Sequence, residues 1–328
     1  MAHPVRACAL AAGLLAAALC GAVQAAPYQP APGVQGTLRI WGSPADAALL
    51  AQWEQALRQA QPGLRLALSL HGPDSAMAGI YTDVADLAFI GRELRVPVEN
   101  MAFEWVKLRK PVSVDVANAG ITTDRLAANY AVFVHPDNPL AKLTLAQLDA
   151  VFGAEHKRGA SNARTWGDLG LTGSWGPRPI RVLAPPVDSV AALHFRKLVL
   201  KDSFKWNPDL EEVGNPTQAL KALAGDPAAL VYAPMAAALP GVRALPLALD
   251  AASPPVALTA ASAADHSYPL ARSVHMVFDH APGQPLRPLV REFMRFVLSD
   301  EGQAVVAREG SYIPLQAEQA QRALKSLD

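Results

Sequence analysis

The sequence predicts an α/β fold with a largely parallel sheet, on three observations. Short apolar runs of strand length alternate with amphipathic stretches along the chain beyond Ala26. Pro- and Gly-rich breaks separate them, and their placement sets a middle segment, about Tyr130 to Tyr232, into a flanking unit made from both ends of the chain. The composition, 51% apolar and 18% charged over 328 residues, fits a folded chain long enough for two domains.

The chain opens on a processing signal, 1–25. Arg6 supplies its positive charge, Ala7 to Val23 its apolar run, and Val23-Gln24-Ala25 its small-residue cleavage site. The competing reading is a short membrane anchor, but the run is Ala-rich and a Pro-rich stretch follows it. Both cysteines, Cys8 and Cys20, lie inside this segment. Leu19 stands where a small residue would precede a lipidated cysteine. The mature chain is therefore expected to carry no thiol, hence no disulfide, thiolate metal site or cysteine nucleophile.

Strands are predicted at Leu38 to Trp41, Leu64 to Leu70, Ala85 to Ile90, Tyr130 to His135, Ile180 to Ala184, Ala229 to Ala233, Val242 to Leu249 and Ser273 to Phe278. Between them, Leu49, Leu50, Trp53 and Leu57 share one helix face, as do Leu289, Phe293, Phe296 and Val297. No internal repeat is present, and no membrane-spanning helix is expected beyond Ala26.

Three turns follow one design, a strand entering a helix through a small-residue loop. They are Gly42-Ser43-Pro44, His71-Gly72-Pro73-Asp74-Ser75 and Pro185-Pro186-Val187-Asp188-Ser189. Ser43 before Pro44 forms a good N-cap pair, and Asp74 or Ser75, and Asp188 or Ser189, are candidate caps for the other two helices. Helix amino ends present unpaired N–H groups and the positive end of the dipole, so several converging on one crevice hold an anion. The plainer reading is that each is an ordinary cap. Asp74 and Asp188 also bring negative charge, which opposes a fully ionised anion but accepts a proton from a protonated one.

The balance of 29 basic and 29 acidic residues gives no overall attraction to nucleic acid or to an anionic membrane. No nucleophile elbow, phosphate-binding Gly-x-x-x-x-Gly-Lys loop or His-Glu-x-x-His helix is present, and the eight histidines lack metal-ligand spacing. An enzyme, a metal and a cofactor are thus not expected.

Four segments resemble the phosphate-type solute-binding proteins of ABC importers. They are LRIWGSPADAALLAQW (38–53), ADLAFIGREL (85–94), AVFVHPDNPLAKLTLAQLDAVF (131–152) and FMRFVLSDEGQAVVAREGSYIPL (293–315). The third carries the family's HPDNP turn and its LTxxQLxxIF helix; the fourth carries LSxEGQ. The resemblance implies a two-lobed type II fold of the periplasmic-binding-protein kind, each lobe a mixed, mainly parallel sheet flanked by helices. It implies one lobe from 36–123 plus 242–318, a second from 130–233, a tail at 319–328, and a ligand cleft between the lobes. A monomeric periplasmic protein that binds a small oxyanion and meets an ABC permease is the corresponding expectation.

The ligand loops depart from the family pattern. Ser43 is kept but Pro44-Ala45 replaces the acidic residue and Thr. Gly72 is kept, Pro73 removes a hydroxyl and an N–H together, and Ser75 replaces Thr. Gly91 replaces a Ser, with Arg92 retained after it, and Pro185 stands near the family's Arg, with Ser189-Val190-Ala191 for Ser-Gly-Thr. The candidate ligand residues are thus Ser43, Gly72, Asp74, Ser75, Gly91, Arg92, Asp188 and Ser189. Arg92 reads either as a compensating cation or as a surface or salt-bridged arginine beside Glu93. A hydrogen bond to a charged group is worth roughly 1.5–3 kcal/mol, so losing the Arg and two or three hydroxyls removes about 5 kcal/mol. That is about a thousandfold in affinity. The departures keep a second reading open: a non-transport interaction or sensor protein on the same fold that has lost the phosphate site.

Overall fold

Leu38 and Ile40 alternate with more exposed neighbours along strand β1 (Gly36–Gly42) and are fully buried. This strand anchors the first of two five-stranded sheets. A computed structural model describes residues 26–95, 98–125 and 127–327. The expected leader and both cysteines lie outside these residues.

The chain first lays down β1, α1 (Ala47–Ala60), β2 (Leu64–Ser69), α2 (Pro73–Tyr81), β3 (Leu87–Phe89), α3 (Val98–Lys107) and β4 (Val112–Asn118). It then crosses into a second unit, built from β5 (Tyr130–Val134), β6 (Leu143–Thr144), α4 (Leu145–Phe152), β7 (Arg181–Ala184), α5 (Val190–Leu198), β8 (Glu211–Glu212), α6 (Pro216–Ala224), β9 (Ala229–Pro234), β10 (Arg243–Ala244), β11 (Leu247–Ala248) and α7 (Ala260–Ala264). The return leg is β12 (Ser273–Phe278), α8 (Pro288–Val297), α9 (Asp300–Glu309) and α10 (Ala317–Lys325).

Strand order in the first sheet is β2-β1-β3-β12-β4, and in the second β10-β5-β9-β7-β8. In the first, β1 runs parallel to β2 and β3, while β12 is antiparallel to both its neighbours. In the second, β9–β7–β8 are parallel and β5 is antiparallel to β9 and β10. Both sheets are therefore mixed. The antiparallel members are strands that enter next to the crossovers between units, where no helical crossover returns the chain to the same end.

The helix faces read from the sequence are core faces. Leu49, Leu50, Trp53 and Leu57 are fully buried, as are Phe293 and Val297, with Phe296 nearly so and Leu289 packed at the margin. The LTxxQL motif has a local cause. Thr144 Oγ1 accepts from Gln147 N at 3.1 Å and Gln147 Oε1 accepts from Thr144 N at 2.9 Å, a reciprocal cap on α4. Thr144→Ala is expected to cost about 1 kcal/mol, checked by urea denaturation.

Three expectations need correction. Strand β4 was not foreseen, although Val112, Val114 and Val116 alternate along it; it forms the sheet edge, where one face is partly exposed. The stretch 242–249 is not one strand returning to the first unit. Pro246 interrupts it, β10 pairs with β5, β11 pairs with β6, and Leu247, Leu258, Tyr268 and Leu270 pack in the second core. The return to the first sheet comes only at Ser273. Finally, the C-terminal tail expected from 319 onward is mostly helix. Helix α10 reaches Lys325, Ala320 is fully buried, and Leu327 packs in the first core.

The two crossovers are laced together. Ala119 N donates to Arg272 O, Asn129 Nδ2 to Ala119 O, and Arg272 Nη1 to Ala128 O, at 2.9, 2.7 and 2.9 Å. Gly120 is required here, because a Cβ would lie 2.1 Å from the Ser311 carbonyl oxygen. No described helix is long and apolar enough to cross a membrane.

Candidate functional site between the two units

Parallel strands β1, β2 and β3 end side by side, so the loops after them meet at one edge of the first sheet. Gly72 N donates to Gly42 O at 2.9 Å, joining the first two loops. A Cβ on Gly91 would lie 3.5 Å from Asp46 Oδ2, which brings the third loop against the first. Gly91 itself has φ +59°, a left-handed conformation that glycine adopts at no steric cost and serine does not.

Six of the expected residues therefore gather at this edge, but much of their chemistry is turned inward. Ser43 caps a short 3₁₀ turn, Pro44–Asp46, by accepting from Ala45 N. Helix α2 is capped by Gly72 and Pro73, not by Asp74 or Ser75, because Pro73 occupies the first helical position. Ser75 Oγ donates back to Gly72 O at 2.8 Å. Asp74 accepts from Arg92 Nη2 at 2.7 Å and faces Arg95 Nη1 at 3.3 Å. Arg92 is fully buried, and besides Asp74 it grips Glu99 through both terminal nitrogens, at 2.8 and 2.5 Å. Of the two readings of Arg92, the salt-bridged one describes its contacts, with Glu99 and Asp74 as partners. Its pairing with the Glu93 side chain is not seen; Arg92 Nη1 reaches only the Glu93 carbonyl.

On the second unit, Ser189 Oγ caps α5 by accepting from Ala192 N at 3.2 Å, and Asp188 is exposed beside it. A cavity of about 330 Å³ lies where α5 begins, between the units. Arg95, Asp124 and Arg125 face it from the first unit and its crossover, and Tyr130, Ser189 and Tyr232 from the second. Of the eight expected ligand residues, only Ser189 lines it. A larger groove, about 710 Å³, belongs to the first unit alone, and its Arg39 and Arg287 are both tied to Asp86.

Electrostatics around the cavity come largely from residues outside the expected ligand set. Arg125 pairs with Glu309 at 2.7 Å and with Asp46 at 3.4 Å, and lies over the Tyr312 ring. Burial pushes the Asp46 carboxyl up, opposed by the Tyr312 hydroxyl at 2.8 Å and by Arg125. Across the units, Glu93 meets His194 of α5 at 2.8 Å and holds Arg272 through both carboxylate oxygens at 3.1 and 2.7 Å. Burial alone would raise the Glu93 carboxyl, but Arg272 and His194 outweigh it and hold it well below the usual carboxylate range. The charged step Thr123-Asp124-Arg125 in the first crossover is a sequence signal for Arg125 alone. Among the described residues no cluster of His, Cys, Asp and Glu forms a metal-holding group.

A family model described as a PBP superfamily domain matches residues 27–301. The chain belongs to the PBP superfamily. Within it, this PBP-superfamily chain is 32% identical over 322 residues to the phosphate-binding protein PstS of Pseudomonas aeruginosa, covering 97% of this chain and 96% of that one. The similarity to that phosphate-binding protein thus runs over nearly the whole chain. Solved structures share the two-lobed fold. An ABC-type phosphate transport receptor from Vibrio cholerae superposes with a TM-score of 0.54 at 19% identity, over 84% of this chain and 99% of that one. PstS from Borrelia burgdorferi gives 0.58 at 13% identity, over 86% and 99%.

Proposed function

We propose that this protein binds phosphate or another small oxyanion in the cavity between its lobes and presents it to an ABC permease after export with removal of 1–25. The observation that carries the reading is the facing of Arg95 and Arg125, from the first lobe, toward Ser189 and the amino end of α5 on the second. Both arginines line the same space as the amino end of α5, and each has a carboxylate partner beside it, Asp74 for Arg95 and Glu309 with Asp46 for Arg125. The names of the Pseudomonas relatives support phosphate as the first ligand to test.

Arg95 is the cation to vary, because its side chain is 38% exposed and its removal leaves the buried Arg92–Glu99 pair in place. Titration calorimetry of the mature protein with phosphate, sulfate and arsenate is expected to show binding. Arg95→Ala is expected to weaken it at least tenfold, from the loss of one charged hydrogen bond worth about 1.5–3 kcal/mol. Equal affinity in wild type and variant removes Arg95 from the site.

The inward-turned loops favour a second reading. Arg92 is spent on Glu99 and Asp74, and Ser75 on Gly72, so the ligand loops of the first lobe hold one another. Absence of binding for every oxyanion up to millimolar concentration supports a non-transport interaction or sensor protein on this fold.

A further inference from the structure

The lining of the interlobe cavity is mixed, with an apolar wall beside its arginines. Pro185, Pro186, Pro216 and Pro234 all face it, and none has an N–H to offer an anion. Val190 and Val213 add aliphatic surface. Tyr130 and Tyr232 line the same wall with ring centroids 5.0 Å apart. Tyr232 is only 2% exposed, and among the described residues its hydroxyl has no hydrogen-bond partner.

Size points the same way. An inorganic tetrahedral oxyanion fills about the space of two or three waters at about 30 Å³ each. The cavity of about 330 Å³ is several times larger and reaches the roughly 300–1,000 Å³ of cavities that enclose small organic molecules.

We infer that the cavity takes an organic oxyanion, its charged head between Arg95 and Arg125 and its apolar substituent against Tyr130, Tyr232 and the four prolines. The inference rests on the cleft being the ligand site, as proposed above, and adds the ligand class. Tyr130 and Tyr232 then select for the substituent, while the arginines select for charge.

Competition-free calorimetry of the mature protein with phenyl phosphate, methylphosphonate, phenylacetate and inorganic phosphate tests it. Phenyl phosphate is expected to bind at least tenfold more tightly than inorganic phosphate, with methylphosphonate between them. Phenylacetate tells a carboxylate head from a phosphoryl one: if it binds more tightly than phenyl phosphate, the organic class stands and the head is a carboxylate. Tyr130→Ala is expected to weaken phenyl phosphate at least tenfold and to bring its affinity close to that of inorganic phosphate, whereas Tyr130→Phe keeps the difference. Inorganic phosphate binding as tightly as phenyl phosphate or more overturns the inference and leaves the oxyanion site standing. No binding by any of the four overturns both.

Discussion

Replacing Arg92 with methionine is expected to destabilise the protein by about 3–5 kcal/mol, the loss measured when one partner of a buried ion pair is removed. The guanidinium is fully buried, and Glu99, whose side chain is 8% exposed, accepts from both of its terminal nitrogens. Methionine fills much of the volume but, among the described residues, leaves the Glu99 carboxylate with only the Arg95 backbone N–H at 2.8 Å. The loss of Asp74 contributes little, since that side chain is 67% exposed and keeps Arg95 nearby. Urea denaturation reads the loss directly. A variant as stable as wild type, but with ligand affinity abolished, would reverse the assignment and make Arg92 a ligand residue.

Arg272→Met is expected to have an effect of similar size, with a pH signature that Arg92 does not predict. Arg272 is 1% exposed and holds Glu93 bidentately where the two crossovers meet. The Glu93 carboxyl lies well below its usual range in the folded protein. A depressed carboxyl contributes stability in full above its unfolded value, about 4.3, and loses it as pH falls through the lower folded value. Wild type is thus expected to lose this contribution on acidification below about pH 4. In Arg272→Met the folded value rises, so the stability gap between the two proteins is widest above about pH 5 and narrows in acid. Urea midpoints at three pH values check this, and a gap constant from neutral to acid pH would show that the carboxylate pairing is not its source. Because Glu93 also touches His194 on the other lobe, the same variant is expected to loosen the lobes, seen as a larger radius of gyration by solution scattering.

Much of the scaffold was legible because its signals are local. The α1 face of Leu49, Leu50, Trp53 and Leu57 follows from helical spacing, and the apolar run at β9 from continuous burial. The Thr144–Gln147 cap is written in four consecutive residues. Strand β4 carries a period-two signal weaker than the continuous runs, and the place of β10 and β11 depends on partners more than a hundred residues away. No local pattern encodes such pairing.

The site divides in the same way. Ser189 could be found because a cap ahead of a helix is a sequence neighbour of what it caps. Arg92 was visible as a cation, but its role was not, because Glu99 and Asp74 surround it only after α2 and α3 have packed. Arg125, Tyr130, Tyr232 and the Glu93–Arg272–His194 cluster each draw their surroundings from separate segments of chain.

Taken alone, the sequence determined the α/β layering, the insertion of a middle segment, the helix faces and the loops that end β1, β2, β3 and β7, since periodicity and capping act over a few residues. Tertiary structure decided which of the candidate groups face the cleft and which face one another. The reason is desolvation: once packed, a buried charge such as Arg92 or Glu93 must find its opposite within the protein, and that demand is met before any ligand arrives.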